Sequence, residues 1–292
     1  MTTTELTGTT GPVPAGAGPR PGPGAGTDGV ARVRASARRM RVLGLAELRL
    51  LWRNKTALAY ALLLPPLAFL FAAESDAFAQ GAGVGAVIVT SVAVLAIGMV
   101  VYYNLVTAYV GRREEYVLKR LRSGELTDAE ILAGTAVPSL ALAWLQVAVA
   151  VVVGVVAGEL GTPVNALLVV LAMAVASAVF PLLAAATSAL TRTVEMAQVT
   201  TAPVLCVPLL LCGLFAPVRE LPDGFSQVAQ VMPLTPVVDL MRLGFLGIDQ
   251  GGGHLDTAAT FQAAVPSLAV GAAWVVIGVW ATRRWFRWEP RR

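Results

Sequence analysis

The chain has 292 residues, of which 56% are hydrophobic and only 14% charged, and its mean hydropathy is +0.70. A soluble domain carries about 25% charged residues, so an ordinary water-soluble fold is excluded and an all-α membrane protein is expected. The net charge of +4 is too unevenly placed along the chain to point to nucleic acid; its distribution reads as membrane topology.

Residues 1–30 are Thr, Gly, Pro and Ala with almost no large apolar side chain. That composition cannot bury a core and reads as a disordered cytoplasmic tail. It lacks the apolar centre of a secretory signal, so no cleavage is expected. Residues 31–55 read as a basic interfacial helix: Met40, Leu43, Leu50 and Leu51 share one arc, although Glu47 interrupts it, and Arg38, Arg41, Arg49 and Arg53 lie opposite. Such a helix suits the headgroup plane.

A hydrocarbon core about 30 Å thick requires about 20 apolar residues per helix. Six runs approach this over residues 56–282: 56–73, 84–110, 131–158, 166–190, 199–215 and 262–281, none containing Asp, Glu, Lys, Arg or His. Pro65 and Pro66 kink the first, which is tolerable where neighbours satisfy the freed carbonyls. In the third, Gly154 and Gly158 form a GxxxG that permits close helix approach. In the fifth, Cys206 and Cys212 stand on different faces and read as inert buried thiols; no CxxC or His cluster suggests a metal, His254 being the sole histidine.

Twenty of the 22 basic residues lie before Thr56, in 111–130, in 191–198 or after Ala281, and only Arg219 and Arg242 lie in the other connections. The positive-inside rule therefore places both termini in the cytoplasm, with residues 283–292 as a basic cytoplasmic tail. Trp52, Trp280, Trp285 and Trp288 suit the same interface. Anionic lipid headgroups account for the basic excess.

Two connections carry information. Between the second and third runs, Arg112–Arg122 reads as a short amphipathic helix in which Glu115 and Lys119 pair at i,i+4, with Val117, Leu118 and Leu121 as its apolar stripe. Ser123-Gly124 breaks it, and Thr127-Asp-Ala-Glu130 reads as a capping box that starts the next helix. A projecting helix of this kind suits a groove on a soluble partner. Between the fifth and sixth runs, Pro217, Pro222, Pro233 and Pro236 punctuate a segment too polar to span. Val237–Leu246 reads as a short helix whose Asp239 and Arg242 stand close enough to pair. Irregular backbone at membrane depth requires cover from protein or a water-filled cavity, so an outer re-entrant helical hairpin is expected.

Both connections resemble the membrane subunits of ATP-binding-cassette type-2 (ABC-2) transporters. In that family the first commonly reads Glu-Arg-Glu-x-Gly-Thr-Leu-Glu-Arg-Leu, then Thr-Pro-Leu-Ser and Glu-Ile-Leu-x-Gly. Leu118, Arg120, Leu121, Leu126, Thr127, Glu130, Ile131, Leu132 and Gly134 fall on this pattern; Tyr116-Val117 replaces Gly-Thr, and Gly124-Glu125 replaces Thr-Pro. The second connection reads Gly-x-x-x-Pro, Leu-Pro, Pro-x-Thr and then Arg, matched by Gly213, Pro217, Leu221, Pro222, Pro233, Leu234, Thr235 and Arg242. The resemblance covers roughly residues 40–285. It implies a multi-pass permease of the cell membrane that pairs with a cognate ATPase subunit and with a second copy of itself or a related permease. ATP and magnesium would then be bound by the ATPase and no cofactor by this chain.

The energy source agrees with this. Ion-coupled carriers place ionisable residues in their spans, and a nucleotide loop would need a motif such as GxxxxGK[ST]; the chain has no Gly-Lys dipeptide. The resemblance assigns ATPase contact to Arg113, Glu114, Glu115, Leu118, Arg120 and Leu121. The outer hairpin would cap the exit through Gly213, Pro217, Pro222, Pro233, Pro236, Asp239 and Arg242. Tyr60, Phe69, Tyr102, Tyr103 and Phe215 are candidates for an apolar translocation face. The expected function is efflux of a hydrophobic or amphiphilic substrate (drug, antibiotic or lipid), with antibiotic resistance as one such role; a stand-alone carrier or channel is the alternative. Twenty Arg against two Lys suggest high-GC bacterial coding.

Overall fold

In the computed structural model of the chain, residue 55 and residues 83–118, 127–214, 218, 221–222, 224–286 and 288 are described. The expectations for residues 1–54, for the first span at 56–73 with Tyr60 and Phe69, and for Arg120, Leu121, Phe215 and Pro217 lie outside them.

Among the described residues the regular structure is helical, with one isolated bridge between Ile248 and His254. Among the described residues, four helices are long and apolar enough to cross a membrane: α1 (Val84–Glu114), α2 (Asp128–Val156), α3 (Ala166–Ser188) and α7 (Thr257–Trp285). They correspond to the second, third, fourth and sixth apolar runs. Helix α4 (Ala197–Leu211) covers most of the fifth run but has only 15 residues, about 22 Å at 1.5 Å per residue. Two short helices follow, α5 (Phe225–Gln230) and α6 (Thr235–Leu246).

Local chemistry explains several boundaries. Helix α2 starts on the expected capping box: the Glu130 amide donates to Thr127 Oγ1, and the Thr127 amide donates to Glu130 Oε2 at 2.7 Å. It ends at Val156, so Gly158, at φ +76°, lies beyond it and the GxxxG does not form a helix face. Within α1 the backbone adopts π-helical geometry over Ala96–Tyr103, a form that concentrates at functional positions in helices.

Helix α3 packs against α1, α6 and α7, while α4 lies against α1. The α3–α7 seam is close because a Cβ on Gly271 would lie 2.7 Å from Val175, and one on Gly278 would lie 2.8 Å from Leu182. Two turns separate each pair, so one stripe of small residues on α7 receives one row of α3 side chains. The buried core runs from Val89, Val92 and Ile97 of α1 through Ala172 and Ala176 of α3 to Val237 and Leu240 of α6. Cys212 is buried as expected, whereas Cys206 is exposed on α4.

Candidate functional site

The end of α1 that leads into the charged connection is tied to two other helices. Tyr109 Oη donates to the Leu132 carbonyl at 3.0 Å, and Arg112 Nη1 donates to Thr135 Oγ1 at 2.8 Å, both on α2. Arg113 is 1% exposed and points to the end of α3. Its Nη1 donates to the Ser188 carbonyl at 2.9 Å and its Nη2 to the Thr191 carbonyl at 2.5 Å. The last carbonyls of a helix have no intrahelical donor, and a cation there is favoured by the helix dipole. Arginine fits because its planar fork serves two carbonyls at once. Arg113, expected on a partner-facing surface, is thus turned into the bundle.

Helix α1 stops at Glu114. Tyr116 takes φ +59°, a left-handed conformation that glycine adopts most readily, and it occupies the position where the ABC-2 pattern carries Gly. Glu114 is half-buried, Glu115 is exposed and Leu118 is fully buried. Of the connection's expected contact residues that are described, only the two glutamates reach solvent.

At the opposite end, the segment after α4 turns at Gly213 (φ +84°) and again at Gly224 (φ +90°), just beyond Pro222. Pro233 lies in the turn between α5 and α6, and Pro236 sits in the first turn of α6, where its missing N–H costs nothing. Thr235 Oγ1 closes this corner by donating to the Ala229 carbonyl at 2.5 Å. Helix α6 is buried over most of its length. Gly244 permits this, because a Cβ there would lie 2.6 Å from Val169 Cγ2 and 3.1 Å from the Asn165 carbonyl.

Asp239 and Arg242 do not form the expected ion pair. The Asp239 carboxylate, 6% exposed, accepts hydrogen bonds from Gln250 Nε2 and from Ser267 Oγ of α7. Burial pushes this carboxyl up to about 6, while the Gln250 and Ser267 bonds and the nearby Arg242 charge act in the lowering direction. Arg242 lines the same cavity of about 250 Å³, together with Asp249 and Pro266.

Tyr102 is also turned inward: it is 1% exposed, donates from Oη to Thr187 Oγ1 at 3.0 Å and meets Phe180 edge-on. Tyr103 is half-buried. Two residues of evident structural weight escaped the sequence reading. Asn165 donates from its amide to the Gly244 carbonyl at 2.9 Å and from Nδ2 to Thr260 Oγ1 at 3.1 Å, knitting α3, α6 and α7. Trp274 of α7 donates from Nε1 to the Val231 carbonyl at 2.7 Å, holding the α5–α6 corner. An Asn before a helix carried a local capping signal; the partners of Trp274 lie 43 residues away and left none.

Compared with known proteins, the chain matches the ABC-2 type transporter family model over residues 38–246. No curated protein sequence matches it. The match covers well over half of the chain, and its apolar helices fit a multi-pass membrane protein: the chain belongs to the ABC-2 type transporter family and is a membrane transport component.

Proposed function

We propose that the chain is the permease subunit of an ATP-driven exporter, moving a hydrophobic or amphiphilic substrate outward with energy from a separate ATPase subunit. The observation that carries this is the three-helix tie at the end of α1. Tyr109, Arg112 and Arg113 fasten α1 to α2 and α3 immediately before the charged connection. A push delivered after Glu115 therefore reaches three helices together. Glu114 and Glu115 present the charge for docking, with Arg120 and Leu121 further along, and Leu118 braces the connection from inside.

The same reading has six spans, both termini in the cytoplasm of a bacterial cell, and a second copy of the chain or a related permease across the path. It makes α5–α6 a re-entrant hairpin capping the exit. Trp274, which bonds the α5–α6 corner, stands 17 residues into α7, about 25 Å along its axis. That depth supports a hairpin dipping into the hydrocarbon layer. Tyr103 is the described tyrosine left for a translocation face.

The test is reconstitution with an ATP-binding-cassette ATPase in proteoliposomes. Outward substrate movement should require ATP, and Glu114→Lys with Glu115→Lys should abolish both ATPase co-purification and transport. Leu118 is left unchanged because an aspartate in its buried site would unfold the connection. Transport that continues without the ATPase and collapses with an ionophore would establish the stand-alone carrier instead.

A further inference from the structure

Helices α2, α3 and α7, with Tyr109 of α1 at one edge, line an open groove of about 980 Å³. Its volume is at the upper end of the roughly 300–1,000 Å³ typical of small-molecule sites. On α2 the lining runs from Asp128 to Leu140, about 18 Å along the helix axis, against about 15 Å for one leaflet of a 30 Å hydrocarbon core. Beyond that level Trp144 Nε1 donates to Ser177 Oγ at 3.0 Å, marking the inner end. Between the mouth and that level the walls include Leu132, Val137, Leu140, Ala178 and Val279.

Charge appears only at the mouth, as Asp128 and Arg283. Asp128 belongs to the first turn of α2, where the helix dipole favours a carboxylate. Arg283 is exposed in the last turn of α7 beside Arg284, and it makes no hydrogen bond or ion pair among the described residues. An edge-on aromatic pair, Phe286 and Trp288 with ring centroids 4.9 Å apart, flanks the same opening, as suits the headgroup level. The groove is thus apolar for one leaflet's depth, and where that leaflet meets water it carries Asp128 and, without a hydrogen bond or ion pair among the described residues, the guanidinium of Arg283.

We propose that this groove binds one anionic phospholipid of the cytoplasmic leaflet, with its acyl chains along Leu132–Leu140 and its headgroup on Arg283. The leaflet rests on the orientation proposed above; the site itself does not depend on transport.

The full chain in nanodiscs, without ATPase or nucleotide, would be photolabelled with phosphatidylglycerol or phosphatidylcholine bearing a diazirine on the acyl chain. Phosphatidylglycerol should label the groove about fivefold more strongly, the factor that one basic residue supplies near an anionic lipid. Arg283→Gln should bring that ratio to one while labelling continues. Ala178→Trp and Val279→Trp, filling the groove from opposite walls, should each remove the label, with gel filtration reporting the fold. The proposal is overturned by equal labelling with both lipids, by a ratio that Arg283→Gln leaves unchanged, or by labelling that persists in both folded tryptophan variants. It is equally overturned if cross-linking finds residues before 83 or a second copy in the groove.

Discussion

The two ends of the bundle bury polar groups in opposite ways. At the α1 end a cation, Arg113, is buried as a donor to the Ser188 carbonyl that ends α3 and to the Thr191 carbonyl just beyond it. At the hairpin end an anion, Asp239, is buried as an acceptor between Gln250 and Ser267. A guanidinium keeps its charge in any environment, so the first arrangement is permanent. A carboxylate neutralises when desolvation is unfavourable, so the second responds to pH. The contrast suits a rigid lever at one end and an adjustable closure at the other.

The largest effect expected is from Arg113→Ala. It leaves the Ser188 and Thr191 carbonyls without their charged donor, and hydrogen bonds to charged groups contribute about 1.5–3 kcal/mol each. Denaturation in detergent should show a loss of roughly 3 kcal/mol, with Arg113→Lys recovering part of it; an unchanged midpoint would remove the rigid-lever interpretation. Next is Gly244→Ala, where a methyl group would meet Val169 and the backbone of α3. Overpacking of this kind costs about 1–3 kcal/mol, and the lost protection should appear in hydrogen exchange across α6 before α1.

Asp239 provides the third. Its carboxyl is raised from 3.8 to about 6, so the folded state binds a proton more tightly than the unfolded chain. The stabilisation from that bound proton is complete below about pH 4 and is lost as pH rises through 6. Melting curves should therefore fall between pH 4 and 7 by roughly 1–3 kcal/mol, and Asp239→Asn should flatten them. Arg113→Lys should leave this slope intact, since the two ends are independent. The smallest is Tyr116→Gly. Relief of the left-handed conformation is worth about 1–2 kcal/mol, and the added freedom of glycine in the unfolded chain costs about 0.5–1 kcal/mol. A net gain near 0.5 kcal/mol is expected by the same measurement; a loss would mean that the Tyr116 ring makes a contact worth more than its strain.

Much of the helix layout was legible because it is local. The start of α2 at Thr127–Glu130, the proline in the first turn of α6 and the apolar lengths of α1, α2, α3 and α7 all follow from residues within a few positions of one another. The two informative connections were legible as pattern, down to the substituted Gly-Thr that the turn at Tyr116 now explains. The roles of individual side chains were less so. Arg113 and Glu114 are neighbours in an evenly charged run, yet one is buried and the other reaches solvent, because helical rotation turns them to different neighbours.

By itself the amino-acid sequence determined that the chain is a helical membrane protein, where most of its apolar helices begin and end, and which family it joins, since apolar length, capping and motif order are properties of adjacent residues. Only the tertiary structure decided that Arg113 and Tyr102 face inward, that α6 is core rather than rim, and that Asp239 bonds Gln250 and Ser267 instead of Arg242. Those outcomes depend on carbonyls and hydroxyls brought from as far as 85 residues away, which no local pattern encodes.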